Sequence, residues 1–533
     1  MSKAIQNILD HYPAAVFRNR KEHILEKGGD KKEITANTRT VPGIITSRGC
    51  CYAGCKGVVL GPLQDVCVIV HGPVGCSYYA WGTRRNKAKG RNGKNFVQYC
   101  FTTDMQESDI VFGGVKKLAQ AIDEAVELFH PPAVMIASTC PVGLIGDDIH
   151  AVAAAAEKKH GINVTAFSCE GYKGVSQSGG HHIANNGLIT KVIGKGDMKV
   201  EEGKFRINIL GEYNIGGDGW EIGRILKKIG YEIISVMTGD GAYEELINAH
   251  AANLNVVQCH RSINYIGEMM HTKYGADWLK INFIGVDHTI KSLRDMAKYF
   301  NDPSLTARTE EVIAQEVEEV QEDIEKYRKI LNGKKAVLYV GGSRAHHYQN
   351  LLKSLGVTTV MAGYEFAHRD DYEGREVIPS IKEDADSKNI QELKIAPDPE
   401  KFKMRLSKEE YEKLSKEIPL NYYAGMIKDM PDGSIVIDDL NHIETEEFIK
   451  MLKVDILFSG IKDKFVAQKS GVLSRQLHSY DYGGPYAGFR GAVNFARDVS
   501  MGITTPTWGY TTPPWRKEPA ITAEFAVAAG GAK

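Results

Sequence analysis

The chain lacks the features that would place it in a membrane or on nucleic acid. No apolar run approaches the roughly 20 residues that a spanning helix needs. The opening stretch MSKAIQNILDHYP puts Asp10 and His11 where a secretion signal requires an apolar core. Surplus positive charge is missing as well. Across 533 residues, 66 Lys and Arg face 67 Asp and Glu, a formal charge of -1, whereas phosphate neutralisation requires excess Lys and Arg. A cytoplasmic protein without a membrane or nucleic-acid partner is expected. None of the nine cysteines forms a CxxC pair, which excludes zinc ribbons and thioredoxin-like redox motifs. Nucleotide fingerprints are absent too. GEYNIGGD (211–218) and YVGGSRAHH (339–347) lie between strand-like and helix-like segments, as phosphate loops do. Neither reads GxGxxG with a following ribose acid, and no GxxxxGKS or GxxxxGKT occurs, which argues against a nicotinamide oxidoreductase.

What is present is a series of short β-branched runs, each followed by a glycine turn and a helical pattern. They include Val66–Val70, Ala133–Ala137, Ile162–Phe167, Arg206–Leu210, Ala336–Val340, Ile435–Ile437 and Asp455–Phe458. Apolar strands alternating with helices predict an α/β chain of βαβ units, with parallel sheets covered on both faces. The length calls for several such sheets. Boundaries are expected near 198–204, a charged stretch, and near Gly333, where a long helix over Thr306–Leu331 ends. That gives units 1–204, 205–333 and 334–533. Residues 375–429, rich in Lys, Glu, Asp and Pro, are expected to form a surface insertion with a short helix at 406–417. The tail after Pro519 has little to pack.

The cysteines all fall in the first half of the chain, at positions 50, 51, 55, 67, 76, 100, 140, 169 and 259. Cys67 and Cys100 read as small buried hydrophobes. In open α/β sheets ligands gather beyond the carboxyl ends of strands, and four cysteines lie there. Cys76 closes HGPVGC, Cys140 lies in STCPVGLIGDD, Cys169 opens CEGYKGVSQSGGHH, and Cys259 lies in NVVQCHRSINY. Several thiols at equivalent strand ends point to soft-metal or iron–sulfur ligation.

Ten motifs then occur in one order: RGCCYAGCKGVV, HGPVGC, TCPVGLIGDD, CEGYKGVSQSGGHHIAN, GEYNIGGD, NVVQCHRSINY, GGSR, GYEFAHRDD, GIKDKF and QLHSYDYGGPYAGF. In this the chain resembles the alpha-subunit family of the nitrogenase molybdenum–iron protein from about Asn37 to Trp515, and its insertion resembles the clostridial-type branch. The resemblance implies three Rossmann-like domains with a cofactor site between them. It also implies a catalytic subunit that reduces dinitrogen to ammonia with hydrogen evolution. Cys50, Cys76 and Cys140 match the ligands of the eight-iron, seven-sulfur P-cluster. Three thiolates do not complete such a cluster, so a homologous beta chain would supply the rest in an α2β2 assembly. Cys51 and Cys55 are then packing residues. Cys259 and His478 match the two protein ligands of the iron–molybdenum cofactor, which carries homocitrate. An ATP-hydrolysing iron protein would deliver the electrons.

Further roles follow from the same resemblance. Arg84 and Arg344 match cofactor-facing arginines, Lys462 a lysine on the homocitrate side, and Gly341 and Gly342 the glycines that give the cluster room. Gln177 and His181 match residues beside the cluster and homocitrate, His181 as a proton or hydrogen-bond donor. Val58 matches an apolar shield over the reactive face, and Glu365 lies in GYEFAHRDD as a further candidate. Two relatives of different role stay open at this point. A cofactor-assembly scaffold would lack part of the set Cys259, His478, Gln177 and His181. A vanadium or iron-only enzyme shares the Cys and His ligands, although the longer chain and CEGYKGVSQS favour molybdenum.

Overall fold

The computed structural model describes residues 1–31, 49–82, 90–91, 93–174, 177–259, 263–340, 344–364, 390–418, 420, 425–460, 463–477 and 483–509. The strand-like runs become three sheets. In chain order the strands are β1 (Ile24–Glu26), β2 (Cys67–His71), β3 (Ala133–Ser138), β4 (Asn163–Phe167), β5 (Arg206–Glu212), β6 (Glu232–Thr238) and β7 (Leu254–Val257). They continue as β8 (Asp277–Lys280), β9 (Lys335–Tyr339), β10 (Thr358–Tyr364), β11 (Ile435–Asp438), β12 (Ile456–Ser459) and β13 (Leu473–Gln476). The first sheet runs β2-β3-β4, the second β6-β5-β7-β8 and the third β1-β11-β10-β9-β12-β13. Every pairing is parallel except that of β1 with β11. β2 and β3 are buried at every residue, as strands covered on both faces must be. The α/β class is as expected.

Strand order reverses between β5 and β7 in the second sheet and between β9 and β12 in the third. Ligand crevices in doubly wound sheets open at such reversals, beyond the carboxyl ends. Cys259 stands two residues past the end of β7. Gly341, Lys462 and His478 follow the last residues of β9, β12 and β13 in the chain.

The helix Pro303–Leu331 connects the second sheet to the third. Asp302 caps it, accepting from Leu305 N at 2.8 Å. Glu316, fully buried on this helix, takes both Arg224 Nη1 at 2.7 Å and Lys228 Nζ at 3.1 Å, which fixes it to the helix Asp218–Ile229. The N-terminal arm packs on the third sheet rather than the first, through β1 and a buried pair in which Arg20 Nε donates to Glu444 Oε1 at 2.7 Å.

Within 375–429 the helix Lys408–Glu417 has no buried residue, but its surroundings are anchored. Ile390, Ile418, Leu420 and Met426 are buried. Arg405 Nη2 donates to His250 O at 2.8 Å and Ala252 O at 2.9 Å. Arg405 straps this part to the second unit, while Ile390 packs on the first, where a Cβ on Gly179 would lie 3.0 Å from its Cδ1. The tail after Pro519 lies outside the described residues.

Candidate metal centre

Two of the strand-end cysteines meet Cys50 on one surface. Cys76 sits in the first turn of the helix Val74–Trp81 after β2, and Cys140 opens the helix Cys140–Ile145 after β3. Cys50 stands just before the turn that enters the helix Ala53–Leu60. A Cβ on Gly171 would lie 3.1 Å from Cys140 Sγ and 3.4 Å from Cys50 Sγ, so the two sulfurs are no farther apart than those distances combined. Burial, and after it the charge of Cys50 and Cys140, pushes the Cys76 thiol above its ordinary range. All three thiols are free and exposed. Crowded thiolates repel one another, and iron between them removes that cost. Among the described residues no group of three or more His, Cys, Asp or Glu converges tightly enough for a single ion. The trio therefore fits the rim of a bulky cluster, open toward a partner.

Two residues tie the loops of Cys76 and Cys140 together. His71, the last residue of β2, meets Asp147 Oδ2 through Nε2 at 3.1 Å and Thr103 Oγ1 through Nδ1 at 3.0 Å. Asp147 also accepts from Gly114 N at 2.9 Å, and Thr139 Oγ1 donates to His71 O at 2.9 Å. Burial lowers the His71 pKa against the opposing pull of Asp147. Both residues stood in plain view in HGPVGC and TCPVGLIGDD, but nothing in a sequence pairs residues so far apart.

The remaining cysteines divide cleanly. Cys51, Cys55, Cys67 and Cys169 are fully buried, and burial drives the Cys51 and Cys67 thiols up to about 12. Cys51, Cys55 and Cys67 are thus packing residues, as expected. Cys100 is only half-buried, and its Sγ donates to Ser77 Oγ at 3.3 Å. It is a hydrogen-bonded thiol at the rim of the core and not the plain hydrophobe its sequence setting indicates.

Ala53–Leu60 is a π-helix, with Gly61 N donating to Lys56 O at 2.7 Å. Such turns are rare and concentrate at functional sites. It presses against the helix Gln177–Lys191 so closely that a Cβ on Gly180 would fall 1.9 Å from Cys51 O. The approach sets the Gln177 side-chain amide against Gly49, the neighbour of Cys50. On the same helix His181, 4 % exposed, lies beside Tyr213 with ring centroids 6.1 Å apart. Tyr213 directly follows β5, whose next-to-last residue is Gly211. There φ is +76°, and a Cβ would lie 2.6 Å from the Cβ of Cys259, so only glycine lets β5 and β7 part around that cysteine. His181 and Cys259 thus flank one loop at the reversal of strand order. Thr238 Oγ1 donates to Val59 O, which brings the far end of the π-helix and the half-buried Val58 to the end of β6. Cys259 is free and 8 % exposed where the other buried cysteines are at 0 %. A soft thiol with one accessible edge fits attachment of a metal cluster at one end.

The family model described as nitrogenase component 1 type oxidoreductase matches residues 50–504. The chain belongs to that family. It is 60 % identical over 529 residues to the nitrogenase molybdenum-iron protein alpha chain of Clostridium pasteurianum, covering 98 % of each chain. To the protein of the same name from Methanosarcina barkeri it is 54 % identical over 518 residues, with 97 % of each covered. A solved structure described as nitrogenase Cp1 at pH 6.5 superposes with a TM-score of 0.91 at 59 % identity, covering 96 % of this chain and 100 % of that one.

For this nitrogenase component 1 type chain, the described residues hold Cys50, Cys76, Cys140, Gln177, His181, Val58 and Cys259. They gather the first three at one site and His181 with Cys259 at another. Gln177 touches the segment that leads into Cys50, between the two. Arg84, Gly341, Gly342, Glu365, Lys462 and His478 lie outside the described residues, as does the side chain of Arg344. Among the described residues no helix is long and apolar enough to cross a membrane.

Proposed function

We propose that the chain is the catalytic alpha subunit of a molybdenum dinitrogenase component, reducing dinitrogen to ammonia with hydrogen evolution. The observation that carries this is the gathering of three exposed free thiols, Cys50, Cys76 and Cys140, on one surface, with Cys259 the one buried cysteine that is not at zero exposure, in a chain matched end to end by molybdenum-iron protein alpha chains. In this reading Cys50, Cys76 and Cys140, in unit 1–204, hold the P-cluster jointly with a homologous beta chain in an α2β2 assembly. Cys259, in unit 205–333, and His478, in unit 334–533, hold the iron–molybdenum cofactor with its homocitrate. When bound, the two clusters supply electron relay and the site of substrate reduction. An iron protein that hydrolyses ATP delivers the electrons, in the cytoplasm.

The chain's own residues position, protonate and exclude. The buried His181 imidazole holds a proton or hydrogen-bond donor beside the Cys259 loop. Gln177 is assigned to the cofactor and homocitrate. Arg84 and Arg344 supply positive charge toward an anionic cluster and Lys462 toward homocitrate, with Glu365 a further candidate. Gly341 and Gly342 leave room for the cluster, and Val58 limits what reaches its reactive face. Elemental analysis of the anaerobically purified complex tests the assignment. Molybdenum with many irons per αβ unit supports it, vanadium instead overturns the metal, and absence of both overturns the function.

A further inference from the structure

The π-helix that follows Cys50 carries a buried lysine. Lys56 is the single charged side chain between Gly49 and Gln64. It projects from the middle of the π-helix and is only 7 % exposed. It lines a cavity of about 20 Å³ with Val68, Ala80, Trp81, Phe96 and Phe101, all uncharged. That is room for about one water. Among the described residues no carboxylate pairs with it; the one ionisable group acting on it is Cys100, whose Sγ donates to Ser77 Oγ at 3.3 Å. Burial pulls its pKa down to about 8, so at neutral pH the group is still mostly an ammonium. A buried cation without an anionic partner is costly and is rarely kept.

The residue beside Lys56 makes a close approach to the helix that carries Cys76. A Cβ on Gly57, next to Lys56, would touch Ala80 Cβ at 3.8 Å. Ala80 stands one turn, about 6 Å along the axis, from Cys76 on the same face of the helix Val74–Trp81. Ser77, which accepts the Cys100 hydrogen bond, is the residue after Cys76. Tyr52, one turn before Lys56, donates to Cys76 O at 2.9 Å. The Lys56 cavity thus backs onto the helix that carries a proposed cluster ligand, and little but protein lies between. In so dry a setting charge acts over longer range than in water.

We propose that Lys56 is a positioning charge for the group held by Cys50, Cys76 and Cys140, offsetting the negative charge that arrives there with each electron and so setting its reduction potential. The proposal rests on the assignment of those cysteines made above. No bond or proton moves; the electron comes from the iron protein of the main reaction. Replacing the ammonium by a neutral side chain removes this offset, so the reduced state is harder to reach.

The test uses the whole complex, purified anaerobically as wild type, Lys56→Met, Lys56→Gln and Lys56→Arg. Each is matched for iron content and melting temperature, and the P-cluster midpoint potential is read by redox-poised electron paramagnetic resonance. Both neutral variants should shift to a more negative potential, while Lys56→Arg stays near wild type. A merely structural lysine would alter stability or iron content without moving the potential. Should Lys56→Met not assemble, Lys56→Gln, with a polar chain for the same cavity, carries the same expectation. Failure of both to assemble while Lys56→Arg does would overturn a tuning role in favour of a structural one. Unchanged potential with full iron overturns this inference alone. No cluster signal in the wild-type complex overturns the cysteine assignment with it.

Discussion

The two thiol sites are built in opposite ways. Cys50, Cys76 and Cys140 stand at the surface, free and exposed, the segments of the last two braced from beneath by His71 and Asp147. Cys259 sits inside, at the parting of β5 and β7, with a glycine the only residue that fits beside it. Apolar side chains around the first site point outward: Val74, Tyr78, Tyr79 and Leu144 are each more than half exposed. A monomer leaves such a patch bare only where something else covers it. The difference is what the proposed reading requires: an open site for a second chain to complete, and an internal one formed where β5 and β7 part.

Breaking each site should therefore give different losses. The largest effect is expected for Cys76→Ala, which removes a ligand from the shared site. Iron should fall and assembly with the beta chain weaken, and normal iron and P-cluster spectra would reject the assignment. Cys259→Ala should instead strip molybdenum while the P-cluster signal persists, as read by metal analysis and paramagnetic resonance on one sample. His181→Asn leaves both sets of ligands in place. Loss of general acid–base help is worth about 10²–10⁴-fold, so ammonia formation should drop far more than hydrogen evolution, and an unchanged ratio at full activity would count against the role.

Bracing should show as stability. Asp147→Ala leaves His71 and Gly114 N without their shared acceptor, and hydrogen bonds to a charged group are worth about 2 kcal/mol; denaturant unfolding of the apo chain measures it. The wild type should weaken in the same direction as pH falls through the ordinary histidine range near 6.5. The folded His71 resists protonation, so the unfolded chain binds the extra proton and gains stability. The smallest effect is expected at Val58. Val58→Ala should widen the substrate range toward longer alkynes at constant molybdenum content. Parallel losses for every substrate would make Val58 ordinary packing.

Much of this was legible in the chain itself. β2 and β3 are nearly continuous apolar runs with glycine turns, and such runs have few other fates than a buried parallel sheet. β13, Leu-Ser-Arg-Gln, has no such pattern, because only its neighbours β12 and the helix Gly488–Thr504 make it a strand. β1 is three residues long and pairs with β11 across most of the chain, a contact no local pattern encodes. Cys55 lies on the π-helix and Cys51 on the turn before it, and both are buried by the glycine-mediated contact with the helix Gln177–Lys191. The His71–Asp147 brace and the Lys56 cavity are likewise tertiary. The roles of His181 and Val58 were readable only through resemblance, since an isolated histidine or valine has no signature.

The claim that one site is shared and the other internal is tested most directly by preparing the chain anaerobically with and without its beta partner, then measuring P-cluster spectra and iron at equal chain concentration. The account predicts a P-cluster in the complex and none in the chain alone, with Cys50, Cys76 and Cys140 open to alkylation only in the latter. A stable P-cluster on the isolated chain would contradict it.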